Sequence, residues 1–391
     1  MIVLSLFVVV LAVSSLSLDI SYKESLSYFQ DTNLLNYLTH MSTSLFSNTN
    51  LALRSPMILL YFVSNILFFK LTKYYIKDDK DRFIASVIFM ILPGIIGSSL
   101  MVNNSIIVVF VLILYILYYN HYKKHSFLLL ALFLFIDNSF LILYLSLFLY
   151  SFKTKDKTLM IACVVLFVLS FWLYGFDASG RPRGYFNDTF SVYLSIFSPF
   201  LFLFFVYSLY NVAIKKKTDI LWYVSATALG VSFLLSFRQK ILLEDFAPYA
   251  TIAIPIAVKV FLSAYRVRLP MFRTRYKQVA NFVLISLVLN SFILLFNKPI
   301  YLFLENPKDH FVFKYHFISP LVDTLKQKQI TCIDANYHKL QQQLKFYGIS
   351  KCDDYKIVNK ESENTQNIDI KLYDKTIYSY ILKKQNKTKK L

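Results

Sequence analysis

Apolar residues run in long blocks, at about 2–18, 56–71, 83–100, 105–120, 126–152, 158–174, 190–212, 220–236, 249–265 and 278–297. Most are close to the ~20 residues a helix needs to cross ~30 Å of hydrocarbon, a length no soluble core requires. The pattern changes twice. Asp19 to Arg54 is a polar stretch, and beyond about 298 polar and apolar residues mix at short period. There the sequence predicts a helix near Pro320 to Gln327, a strand at Ile330 to Asp334, and a helix near Tyr337 to Phe346 closed by Gly348. Alternation in Ile368 to Tyr373 and Thr376 to Leu382 predicts two more strands, and the final KKQNKTKKL reads as disordered. The expected fold class is a polytopic α-helical membrane protein: a transmembrane domain over 1–297 and a small α/β domain over 298–391.

Composition agrees. Hydrophobic residues make up 56% of the 391 and charged residues 17%, against about 25% in globular chains. The formal charge of +19 would point to nucleic acid in a soluble protein. Here the Lys and Arg sit in short clusters between apolar blocks, as the positive-inside rule produces, so no nucleic-acid partner is expected. The clusters are Lys70 to Arg82, Lys123 with Lys124, Lys153 to Lys157, Lys215 to Lys217, and Arg266 to Lys277.

If every cluster faces the cytoplasm, an even number of spans must separate neighbouring clusters. The block at 126–152 breaks this parity unless Asp137, Asn138 and Ser139 mark the tip of a helical hairpin with short, tilted or re-entrant halves. That gives about eleven spans, with the N-terminus cytoplasmic and outer segments at 19–54, 97–104, 175–189 and 237–248. The C-terminal domain is then also outside.

No nucleophile elbow, Walker loop, dinucleotide fingerprint or zinc-protease motif occurs, and the six histidines are scattered. Cys163 lies in an apolar run as a small hydrophobe, whereas Cys332 and Cys352 can pair if the tail meets an oxidising compartment. Asp137, inside an apolar block, is a site candidate by default or a cap of the hairpin tip. Arg181 and Arg183 either meet lipid phosphates or line a loop.

The stretch from Asp19 to Pro56 carries the most information. An acidic residue directly after the first span, a polar loop, and LFSNTNLALRSP at the start of the second span resemble the GT-C glycosyltransferases. Among these the chain is most similar to the superfamily of protein O-mannosyltransferases and aminoarabinose transferases. Asp19 and Tyr22 match the D and Y of the family's D-E-x-x-Y motif, with Ile20 in place of the second acid. Phe46, Leu51, Ala52, Arg54 and Pro56 match the pattern that closes the loop. Pro93 and GSSLMVNNS resemble the second outer loop, with Asn103 or Asn104 where an acid is common. In SFRQKILLEDFAPYA, Arg238, Lys240 and Pro248 match a basic-then-proline segment.

The resemblance implies a membrane enzyme that moves a sugar from a polyprenyl-phosphate donor to a lipid, glycan or protein acceptor on the periplasmic side of a bacterial inner membrane. It implies Asp19 as general base, and Tyr22, Glu24, Arg54, Arg238 and Lys240 as residues that bind substrate or donor. No cofactor is firmly expected, and a divalent metal is possible. The competing readings are a transporter or flippase of lipid-linked glycans and a non-catalytic scaffold with the same fold.

Overall fold

The computed structural model describes residues 1–30, 33–175, 184–335, 337–358, 365–373 and 375–384. Every apolar block is a helix or a broken pair of helices. In order they are α1 (Ile2–Leu16), α2 (Tyr22–Phe29), α3 (Leu34–Phe46), α4 (Asn50–Thr72), α5 (Asp79–Met90), α6 (Pro93–Leu100), α7 (Ser105–Tyr122), α8 (Phe127–Phe133), α9 (Phe140–Thr154) and α10 (Lys157–Tyr174). There follow α11 (Phe186–Phe197), α12 (Pro199–Ile214), α13 (Ile220–Ser236), α14 (Ala247–Thr251), α15 (Ile254–Val267) and α16 (Pro270–Leu295). The C-terminal segment holds α17 (Ile318–Gln327), β1 (Asp334–Ala335), α18 (His338–Phe346), β2 (Tyr355–Val358), β3 (Thr365–Leu372) and β4 (Lys375–Lys384).

Among the described residues, five helical stretches are long and apolar enough to cross a membrane (α4, α7, α10, α14 with α15, and α16), or seven if each bent pair counts as one span. Three shorter apolar helices, α1, α9 and α13, add to these. The block at 126–152 is interrupted where its polar residues fall, between α8 and α9. Two other breaks have local causes. Between α5 and α6 the chain bends by 50° at Pro93, whose predecessor Leu92 takes an extended conformation. Between α11 and α12 it turns by 101° at Ser198, which has φ +72° and precedes Pro199. In the sequence, 190–212 is one apolar block with no sign of this turn.

The acids beside the basic clusters start helices. Asp156 accepts from the Leu159 N–H at 3.0 Å and Asp219 from the Trp222 N–H at 2.9 Å, each an N-cap that tethers the chain where it re-enters an apolar run. Arg266 pairs with Asp81 at 2.6 Å and Asp78 at 3.2 Å, so α15 is fixed to α5 through charges at their polar ends.

The chain folds as two compact units. One comprises Met1–Val8 and Met57–Leu294; the other comprises Val9–Pro56 and Leu295–Leu391. The segment 19–54 thus shares a unit with the C-terminal domain rather than with the membrane helices that flank it in sequence. The second unit is built on a four-stranded sheet of order β1-β2-β4-β3, with β1 and β2 parallel and the other pairs antiparallel. Its core joins Ile318, Leu321 and Leu325 of α17 and Leu344 of α18 to Ile357, Ile368, Ile370 and Leu382 of the sheet. Gly348 ends α18 as expected. At φ +84° it allows the Ile349 N–H to reach the Leu344 carbonyl and its own N–H to reach that of Lys345.

β2 has no signal in the sequence, because it is four residues long beside Asp353 and Asp354 and too short for alternation to stand out. The predicted strand at 330–334 contracts to β1, preceded by a bridge from Cys332 to Ser350. The tail KKQNKTKKL lies outside the described residues apart from Lys383 and Lys384, which end β4.

Gly94 gives the helix packing a test. A Cβ there would lie 2.5 Å from Cγ2 and 3.3 Å from Cβ of Ile196, a β-branched side chain with little freedom to move. Nothing lies within 4 Å of a Cβ at Gly97, on the same helix. Gly94→Ala should lower the melting temperature of the solubilised protein by several degrees, and Gly97→Ala should hold or raise it. Equal melting temperatures for the two would refute this packing.

Candidate active site

The loop after α1 is organised around one guanidinium. Arg54 lies one turn into α4 and is fully buried. Its Nη1 donates to the Leu18 carbonyl at 2.8 Å, and its Nη2 to the Asp19 carbonyl at 2.9 Å and to Glu24 Oε2 at 3.1 Å. Glu24 is held by its own helix. Ser21 Oγ accepts from the Glu24 N–H, and Glu24 Oε2 accepts from the Ser21 N–H at 2.8 Å, a capping box at the start of α2. The S-x-x-E spacing of Ser21 to Glu24 is visible in the sequence and would have shown this structural duty.

Asp19 is also buried. Its Oδ2 accepts from the backbone N–H groups of Ile318 at 2.7 Å and Ser319 at 3.0 Å, at the N-terminus of α17, where the helix dipole favours an anion. Its own N–H donates to the Tyr315 carbonyl at 2.8 Å. Burial outweighs these donors and the charge of Arg54, so the carboxyl titrates above the ordinary aspartate range. Ile20 follows with its side chain wholly buried. Its N–H donates to the Tyr347 hydroxyl at 3.1 Å and its carbonyl accepts from Gln343 Nε2 at 2.8 Å. Ile20 thus places an apolar side chain in the buried position where the D-E pattern has its second acid. Tyr22 is half-buried, with Lys339 Nζ 5.3 Å from its ring centre.

Asp19, Glu24 and Arg54 therefore stand together, and each holds a structural bond. Arg238 and Lys240 belong to the membrane unit, exposed on the connection from α13 to α14. That connection joins a second polar group. The half-buried Asp137 hydrogen-bonds the Asn104 side chain and lies within electrostatic reach of Glu244. Ser105 Oγ donates to the Glu244 carbonyl at 3.1 Å, and the Tyr249 hydroxyl donates to the Ser139 carbonyl at 2.8 Å. The expected outer segment 97–104, the tip at 137–139 and the expected outer segment 237–248 thus meet on one side of the membrane unit. Arg181 and Arg183 lie outside the described residues.

Two histidines that look scattered in sequence are neighbours. The Tyr301 ring stacks on His310 with centroids 4.1 Å apart, and its hydroxyl meets His316 Nδ1 at 3.2 Å. Burial pushes His316 down to about 3, with Lys298 and His310 adding to the effect, so both imidazoles serve as neutral members of an aromatic core. Cys332 and Cys352 are disulfide-bonded and Cys163 is free and buried. Among the described residues, the one grouping of His, Cys, Asp or Glu at metal-ligand distances is Cys332, Cys352 and Asp354, and its sulfurs are bonded to each other.

These features define a polytopic membrane protein whose first loop and C-terminal domain form one α/β unit. No protein-family profile and no curated protein matches the sequence. Solved structures do. The chain resembles ArnT from Cupriavidus metallidurans bound to undecaprenyl phosphate, with a TM-score of 0.57, 9% identity, and coverage of 97% of this chain and 96% of that one. It resembles the apo state of the same protein with a TM-score of 0.56 at 10% identity, covering 97% of both chains. The fold is that of ArnT, an aminoarabinose transferase of the GT-C type, over nearly the full length.

Removing one partner of the buried Arg54–Glu24 pair leaves the other charge uncompensated, at a cost of about 3–5 kcal/mol. Glu24→Gln should therefore lower the unfolding free energy by about 3 kcal/mol, read from denaturant unfolding of the isolated protein in detergent. For Asp19 the sign follows from its raised pKa. Its stabilising contribution is full below the ordinary aspartate value and is lost as pH rises through the raised one. Asp19→Asn should flatten the stability profile across that window, and an unchanged slope would contradict the burial of the carboxyl.

Proposed function

We propose that this protein is a membrane glycosyltransferase that moves a sugar from a polyprenyl-phosphate donor to a hydroxyl-bearing acceptor, which is a lipid, a glycan or a protein. The observation that carries the reading is the full-length likeness in fold to ArnT in complex with undecaprenyl phosphate. We assign it to a bacterial inner membrane, with the N-terminus cytoplasmic and the C-terminal domain periplasmic. The disulfide of that domain suits an oxidising compartment, and the basic clusters suit the opposite face.

In the reaction, a carboxylate takes the acceptor's hydroxyl proton and the freed oxygen attacks the anomeric carbon. The bond from that carbon to the phosphate oxygen breaks, its electron pair stays on the lipid phosphate, and the configuration inverts. Arg238 and Lys240 neutralise the leaving phosphate, Arg as a bidentate fork and Lys as a point charge. Exposure leaves both side chains free to reach a headgroup at the membrane boundary.

Two carboxylates compete for the role of base. Asp19 has the motif position, with its Oδ2 held by the α17 amides. Asp137 is favoured by a side chain less enclosed than that of Asp19 and by its place beside the segment that carries Arg238 and Lys240. Transfer from a labelled polyprenyl-phosphate sugar by purified wild type, Asp19→Asn and Asp137→Asn separates them. Loss of the base should cost about 10²–10⁴-fold in turnover. Asparagine at 19 keeps an oxygen for the α17 amides, so that variant should stay folded. Loss confined to one variant names the base. Wild-type rates in both would remove the two carboxylates, and no transfer by wild type to any acceptor class would sink the proposal.

A further inference from the structure

The turn between α15 and α16 sets cations among exposed apolar side chains. Residues 266–277 read RVRLPMFRTRYK, and no acidic residue occurs between Asp245 and Glu305. Val267 is 87% exposed, Leu269 64% and Met271 74%, and Phe272 is exposed as well. The positive-inside rule asks only for a count of cations. Here several are fixed in place. Arg266 holds Asp81 and Asp78 at the start of α5. Arg273 donates from Nε to the Arg268 carbonyl at 2.9 Å and from Nη2 to the Arg266 carbonyl at 3.0 Å, which satisfies the open carbonyls at the end of α15. Arg268 stacks on the Tyr276 ring, 3.6 Å from its centre, and donates to its hydroxyl at 2.7 Å. That ring stacks in turn on Phe261. These arginines give the turn its shape, while Arg275 and Lys277 stand exposed near the start of α16.

The level of the turn in the bilayer names the occupant. Asp81, the partner of Arg266, lies just before Phe83 and Ile84, which open the apolar run of α5 and are exposed. Lys277 is the last charge before the apolar run of α16. Both ends of the turn therefore lie at the edge of the hydrocarbon. Met271 precedes Lys277 by about 9 Å of helix, and the headgroup layer on each side is about 5–8 Å deep. At the ordinary tilt of a span, about 20°, the height of Met271 above Lys277 is close to the depth of that layer. Phosphate is what this layer offers to guanidinium and ammonium groups, and the acyl carbons beneath it take apolar side chains. We infer that the α15–α16 turn is a docking surface for anionic phospholipids of the adjoining leaflet. Arg268, Arg275 and Lys277 meet the phosphates, and Leu269, Met271 and Phe272 seat between the headgroups. With no acid to repel them, anionic lipids are held in preference to zwitterionic ones. The inference stands apart from the transfer reaction.

Hydrogen exchange of the full chain tests it in nanodiscs of phosphatidylcholine alone and of phosphatidylcholine mixed with phosphatidylglycerol. Amides of residues 267–273 should exchange several-fold more slowly in the mixed nanodiscs. High salt should remove the difference, because exposed charges are screened. The Arg275→Gln, Lys277→Gln double variant should lose most of it. Both side chains are exposed and neither shapes the turn, so the variant keeps the fold. Equal exchange in the two lipids would overturn the inference and leave the face to water or to a protein. Equal slowing by inorganic phosphate in phosphatidylcholine nanodiscs would mean that the turn binds a free anion, which also overturns it. Slowing that extends equally to α17 would reflect a general stabilisation of the protein and count against a surface at this turn.

Discussion

A guanidinium without solvent must find acceptors for its N–H groups, and the geometry around Arg54 follows from that need. Two backbone carbonyls of the chain leaving α1 and the carboxylate of α2 supply them. Those bonds fix the path of residues 18 to 24, and that path presents Asp19 to the first turn of α17 and Ile20 to α18. Segments some three hundred residues apart in sequence become one compact unit because one cation at the start of α4 has to be satisfied. Such a pair adds little net stability over an apolar substitute, but its hydrogen-bond geometry admits few alternatives, which suits a joint that sets register.

Much of this architecture is legible in the sequence. The blocks near membrane-crossing length, the polar interruption at Asp137 and the glycine that closes α18 each have a local physical cause, so composition and spacing reveal them. The resemblance of Asp19, Tyr22, Arg54 and Pro56 to the GT-C pattern points to the fold found. What sequence could not give is which partner each charged residue takes. Glu24 and Arg54 read as possible ligand contacts, yet they are bound to each other, and only the capping spacing from Ser21 hinted at it. The meeting of His310 and His316 depends on Tyr301, in a stretch with no periodicity. The sharp turn at Ser198 rests on a single left-handed residue before a proline, inside a run of uniform hydrophobicity.

The two groups of candidate residues are physically unlike. Around Arg54 the polar atoms are buried and bonded to backbone, as a rigid joint requires. Asp137 is half-buried at the break between α8 and α9, and Glu244 is exposed on the connection from α13 to α14, which also carries the exposed Arg238 and Lys240. Recognition of a mobile lipid headgroup favours the second kind of surface, because a buried, fully bonded cation has nothing left to offer a phosphate.

Binding of polyprenyl phosphate to the purified protein, followed by native mass spectrometry, tests the central claim most directly. The proposed function predicts a saturable adduct with undecaprenyl phosphate, favoured over phosphatidylglycerol and over unphosphorylated polyprenol. It also predicts about tenfold or greater weakening in the Arg238→Ala, Lys240→Ala double variant, the loss of two charge-assisted contacts. Equal retention of all three lipids, or full binding by the double variant, would contradict it.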